Sequence, residues 1–124
     1  MGAMSRRKGK RGELEVVAIA KAIGFARAER TAPMQAGHGS SEHGDVGGIR
    51  PLYIEVKCHA RVPVNRYARE VLDGPERPGM VRVLAWRDNR TEWRATVPLD
   101  DLLKLVAMAY PPTPAPRVDE MEAP

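Results

Sequence analysis

The sequence predicts an α/β fold, a mixed β-sheet of about five strands flanked by helices in a single domain. Three observations carry this expectation. Helix-like and strand-like patterning follow one another in the order helix, strand, long loop, two strands, helix, two strands, helix. The stretch Met80 to Trp86 is apolar almost throughout, as a strand covered on both faces should be. A chain of 124 residues is also long enough to build one core without disulfides or a structural metal.

Taken in order, residues 1–8 read as a basic flexible arm, with Met1-Gly2-Ala3 a cloning remnant before a start at Met4. Residues 9–110 form the domain. A first helix is expected from about Arg11 to Ile23, where Val16, Ile19, Ala20 and Ile23 follow the i, i+3, i+4, i+7 spacing of a core-facing stripe. Glu13 lies on the edge of that stripe. Either a metal or a lysine partners it there, or it simply favours the positive end of the helix dipole. Gly24 stops the helix, and Phe25 to Arg30 reads as a strand. Thr31 to His43 is a loop rich in Gly, Ser and His, of a length that is usually functional or unstructured.

Asp45 to Lys57 reads as a short extended piece, a Gly/Pro turn and an alternating strand. Cys58-His59-Ala60-Arg61 leads into a helix from about Val64 to Leu72, with Arg66 and Arg69 at i, i+3 on one side. Asp73-Gly74-Pro75 and Pro78-Gly79 are turn signals ahead of the strand Met80 to Trp86. Asp88-Asn89-Arg90 turns the chain into a strand, Glu92 to Val97, antiparallel to the one before. Leu99 to Ala109 is an amphipathic helix offering Leu102, Leu103, Leu105 and Val106 for burial. Residues 111–124 form a Pro-rich acidic tail, expected to be disordered.

The net charge of +4 is unevenly distributed. Arg6, Arg7, Lys8, Lys10 and Arg11 all precede the first acid, Glu13. Arg117 against Asp119, Glu120 and Glu122 leaves the tail at −2 and residues 1–110 at +6. Such a body points to a polyanionic partner, most simply nucleic acid, with solubility alone as the competing explanation. The lone Cys58 excludes an intramolecular disulfide and fits a reducing compartment. With no membrane-length apolar run and no secretory signal, the expected location is the cytoplasm, with no membrane partner.

The chemistry concentrates between Asp45 and Lys57. Strand alternation puts Glu55 and Lys57 on one face and Ile54 and Val56 on the other. A strand pairing back across the turn brings Asp45 towards Glu55, and two carboxylates meet at low cost only around a cation. The expected site is therefore a divalent-metal centre with a lysine beside it, the alternative being a surface ion pair. Mg²⁺ prefers oxygen ligands and is commonly held by one or two carboxylates plus substrate phosphate. That combination suits phosphodiester hydrolysis, with Lys57 orienting water or offsetting charge on the phosphorus oxygens. Zinc ligation by His38, His43, Cys58 and His59 lacks the usual spacing. Ser40-Ser41 near His43 lack a nucleophile-elbow motif. Tyr67, Trp86 and Trp93 are candidates for base stacking, with core packing the better assignment for Trp86.

The pattern Asp45…Glu55-Val56-Lys57 resembles the PD-(D/E)xK nuclease superfamily. The ordered set Lys8-Gly9, Glu13, Gly24-Phe25, Arg30, Gly44-Asp45-Val46, Tyr53 to Lys57, Val83-Leu84-Ala85 and Trp93-Arg94 resembles, more narrowly, the archaeal-type Holliday junction resolvases, also found in phages. This likeness covers about residues 8–107. The loop is longer here, Gly44 stands where the superfamily has proline, and the helix after the lysine lacks a glutamine.

The resemblance implies a restriction-endonuclease-like core and a homodimeric, Mg²⁺-dependent endonuclease making paired nicks in four-way DNA junctions, with Mn²⁺ able to substitute. It implies that Glu13, Asp45 and Glu55 are acidic metal-site residues, Val56 lends its carbonyl to the metal, and Lys57 is the catalytic lysine. A serine of the loop, Ser40 or Ser41, would contact DNA. Phosphate contacts are expected from Arg6, Arg7, Lys8, Lys10 and Arg11, and from Arg30, Arg61, Arg66 and Arg69. Paired cuts independently call for two sites on a two-fold axis. Other substrates (duplex, flap or single strand) and a non-catalytic role in recombination are the alternatives.

Overall fold

In a computed structural model describing residues 3–31, 44–74 and 77–114, with side chains from Arg7 onward, eight elements follow one another. They are α1 (Ala3–Ile23), β1 (Glu29–Arg30), β2 (Val46–Gly47), β3 (Leu52–His59), α2 (Val64–Leu72), β4 (Val81–Asp88), β5 (Arg94–Thr96) and α3 (Leu99–Ala109). The strands form one sheet in the order β1-β2-β3-β4-β5. Only β3 and β4 are parallel. The helix α2 makes the crossover that a parallel pair requires. This is the mixed, five-stranded, helix-flanked α/β sheet that the sequence predicts.

The alternation of β3 sorts its side chains between two helices. Val56 and Cys58 face α1, and the helix comes so close that a Cβ on Gly12 would lie 3.3 Å from Cys58 Cβ and 3.5 Å from Val56 Cγ1. The core gathers here, from Val17 and Ala20 of α1 with Ala28, Val46, Ile49, Ile54, Val83 and Ala85. Glu55 and Lys57 occupy the opposite face, which α2 flanks, with the fully buried Leu84 beside Glu55 in register.

Several elements depart from expectation. The helix α1 starts at Ala3 instead of Arg11, so most of the segment expected as a flexible arm is helical. Its buried stripe is Gly12, Val17 and Ala20, whereas Ile19 and Ile23 are 45% and 72% exposed. Gly24 does end the helix, with φ 127°, and Phe25 N–H and Gly24 N–H bond back to the carbonyls of Ala20 and Lys21. Those bonds, and a turn from Ala28 N–H to Phe25 O, reduce the expected strand Phe25–Arg30 to its last two residues. The final helix buries none of its residues, and Leu102, Leu103 and Val106 stay exposed. Among the described residues, no helix is long and apolar enough to cross a membrane.

Candidate functional site

The site forms where β2 stops and β3 continues. Val46 pairs with Ile54, Asp45 N–H donates to the Ile54 carbonyl at 2.7 Å, and past that point no strand among the described residues lies beside β3 on that edge. The Asp45 carboxylate takes the strand's place and accepts the Val56 N–H at 2.8 Å. In a strand the N–H and C=O of one residue project to the same edge. The Val56 carbonyl is thus directed to the side where Asp45 sits. Gly44 (φ 79°) makes the approach possible, because a Cβ there would collide with the Ile54 carbonyl. Thr31 ties the other end of residues 32–43 to the same place, its N–H donating to Asp45 O and its hydroxyl to Gly44 O.

From this corner the acids spread in two directions. Glu55 interacts directly with Asp45, and its carboxyl is pushed up to about 7, first by burial and then by the Asp45 charge and hydrogen bond. The Tyr53 hydroxyl donates to Glu55 Oε1 at 3.0 Å, and the Arg77 guanidinium lies 3.9 Å from the centre of the Tyr53 ring. Glu13 comes from the α1 side. It also rises above the usual carboxylate range, through burial and then Asp45, but Arg30 Nε holds it at 3.2 Å and opposes the rise.

The expected three-acid convergence therefore takes a different form. Glu13 comes from α1 on one side of the sheet and Glu55 from β3 on its other face, and Asp45 at the edge is the group both of them feel. Among the described residues no three His, Cys, Asp or Glu side chains gather tightly enough to form a ready metal cluster. The Asp45–Glu55 pair is the part that meets. Because α1 begins ten residues before Glu13, the explanation of Glu13 by the helix dipole falls away.

Lys57 stands on the Glu55 face, its Nζ 4.6 Å from the centre of the Tyr67 ring, and its charge partly offsets the rise at Glu55. Tyr67 stacks on His59 and its hydroxyl lies 3.2 Å from His59 Nε2. Burial, Lys57 and Lys8 lower the His59 pKa from its ordinary value, which favours the neutral ring. A cavity of about 230 Å³ opens against this face, lined by Tyr53, Glu55, Lys57, Glu70, Gly74 and Arg77 among others.

Of the residues expected to meet phosphate, Arg7, Lys10, Arg11, Arg61, Arg66 and Arg69 are exposed and Lys8 is half-buried. Arg30 is engaged with Glu13, and Arg66 lies 3.7 Å from Glu70. The Arg6 side chain, Ser40, Ser41, His38, His43 and residues 115–124 lie outside the described set. Trp86 is half-buried, with Nε1 donating to Thr96 Oγ1, while Trp93 packs on the core and donates to Glu15.

Tyr53 and Arg77 were not expected at the site. Tyr53 was legible, two residues before Glu55 on the same strand face; Arg77 arrives by a turn after α2, and nothing local marks it. The chain matches no family model, no curated protein and no solved structure.

Proposed function

We propose that the protein is a Mg²⁺-dependent endonuclease that resolves four-way DNA junctions by paired nicks. The observation that carries the reading is the Asp45–Glu55 carboxyl pair at an open strand edge with Lys57 on the same face as Glu55. Glu55, raised to about 7 by burial and then by Asp45, makes with Asp45 an oxygen-donor pair short of positive charge, which fits a hard divalent cation. Asp45, Glu55 and the Val56 carbonyl would hold Mg²⁺, or Mn²⁺ in its place, with Glu13 acting across Asp45.

Bound there, the ion would polarise the phosphodiester and lower the pKa of a water. The protein's own groups do the rest. Lys57, steadied over Tyr67, orients the attacking water and balances charge on the phosphorus oxygens. Tyr53 fixes the rotamer of Glu55 through its hydroxyl. The exposed bases of α1 and α2 hold the backbone without reading sequence.

The junction and the dimer rest on the likeness to Holliday junction resolvases together with the charge. Exposed Leu99, Leu102, Leu103 and Val106 on α3 add an apolar surface of the kind subunits cover. The reading is tested by incubating protein with labelled junction, duplex and flap DNA, with Mg²⁺ or EDTA. Symmetric, metal-dependent incision of the junction, by a species twice 13.7 kDa in sedimentation, is expected. Equal duplex cutting would move the substrate, and binding without incision in either Mg²⁺ or Mn²⁺ would remove the enzyme.

A further inference from the structure

A concentration of positive charge lies away from the Asp45–Glu55 corner. It surrounds a cavity of about 480 Å³ between the N-terminal half of α1 and the β4–β5 turn, lined by Arg7, Lys8, Arg11, Arg87, Asn89 and Arg90, with Cys58 as its remaining wall. Five of these are cations, and among the described residues no carboxylate lines the space. The volume falls in the range of ordinary ligand sites, about 300–1,000 Å³. Like charges converging on a cavity are costly unless an anion belongs there.

Part of the cluster is already fixed. Arg87 is gripped by Glu15 at 3.1 Å, lies 5.5 Å from the centre of the Trp93 ring, and has a buried Nε with no hydrogen-bond partner among the described residues. Lys8 Nζ donates to Asn89 Oδ1 at 2.9 Å, tying the helix to the turn. Arg90 occupies the left-handed region at φ 62°, a conformation that places its side chain where an ordinary turn would not. Guanidinium forks held in this way match the oxygens of a phosphate.

We propose that this cavity is a phosphate site that takes a backbone phosphate of bound nucleic acid, away from the bond being cut. The nucleic-acid source of the phosphate rests on the proposed function; the site itself does not. The route between the two places is basic. Lys57 lies over Tyr67, Tyr67 stacks on His59, and the charge of Lys8 reaches His59. Cys58, a wall of the cavity, is three strand residues from Glu55, roughly 10 Å along β3 at about 3.3 Å each, and on the other face of the strand. A bound backbone would reach both places by passing round the His59 end of β3.

The probe is inorganic phosphate, titrated into the ¹⁵N-labelled protein. Saturable shifts at the amides of Asn89 and Arg90 are expected, and their loss in an Arg7→Gln, Arg90→Asn double variant. Asparagine tolerates the left-handed backbone, and both changes are on the surface, so the fold is retained. Shifts confined to the Glu55–Arg77 face, or none, would overturn the site. In EDTA, the same variant should bind junction DNA with a salt slope shallower by about 0.9 for one lost contact. That makes its loss of affinity between about 50 and 200 mM salt about 3.5-fold smaller than that of the wild type. An unchanged slope would overturn the backbone-phosphate assignment. A shallower slope in a protein that never cuts DNA would uphold this site and remove the nuclease.

Discussion

At the scale of residues, the decisive feature is the raised pKa of the Glu55 carboxyl, held up by burial and by Asp45. A carboxyl whose pKa rises on folding binds its proton more tightly in the native state. Its contribution to stability is then present below the ordinary carboxylate value of 4.5 and is lost as pH rises through about 7. The full shift is worth about 3 kcal/mol at about 1.36 kcal/mol per unit, and partial exposure of the carboxyl cuts this to about 1–2 kcal/mol. Glu55→Gln keeps an acceptor for Tyr53 and can donate to Asp45. In denaturant melts it should match the wild type at pH 4 and exceed it by about 1–2 kcal/mol at pH 8. A stability difference that does not change between those pH values would show that the two carboxyls do not interact.

Elements were legible in the sequence where their signal was local. The helices α2 and α3 run over the residues their patterning predicts, whereas β4 starts one residue later than Met80 and continues two past Trp86, and β3 continues past Lys57 to His59. The buried stripe of α1 was not legible, and the reason is size. Counting large apolar residues favours Ile19 and Ile23, but the sheet selects Gly12 and Ala20, whose smallness lets the helix approach β3. The strand β1 shrank because the Gly24 turn took its residues. At the site, Asp45, Glu55 and Lys57 could be read from strand alternation and a turn; the diversion of Glu13 to Arg30 depends on a contact across the sheet.

The helix–sheet contact carries a prediction of its own. Gly12→Ala gains up to about 1 kcal/mol of helix propensity. Its Cβ, however, must push against Cys58 Cβ at 3.3 Å and the Trp93 ring at 3.4 Å, which leaves it close to neutral. Gly12→Val adds two methyls with nowhere to go and should cost about 1–3 kcal/mol by denaturant titration. A valine variant as stable as the wild type would mean that α1 does not sit this close to β3.

Across the whole molecule, charge and sheet topology assign different tasks to different places. The open edge of β3 gathers acids, and a belt running from Lys57 past His59 to the α1–turn cavity gathers bases. Holding DNA and cutting it should therefore separate under mutation. The most direct test compares wild type with Asp45→Asn and Glu55→Gln on a labelled four-way junction, measuring incision in Mg²⁺ and binding in EDTA side by side. Both variants are expected to lose at least about a hundredfold in incision, the loss of about 2.7 kcal/mol of transition-state stabilisation, while binding as the wild type does. Near-normal incision by both would contradict the assignment of this pair to the chemistry.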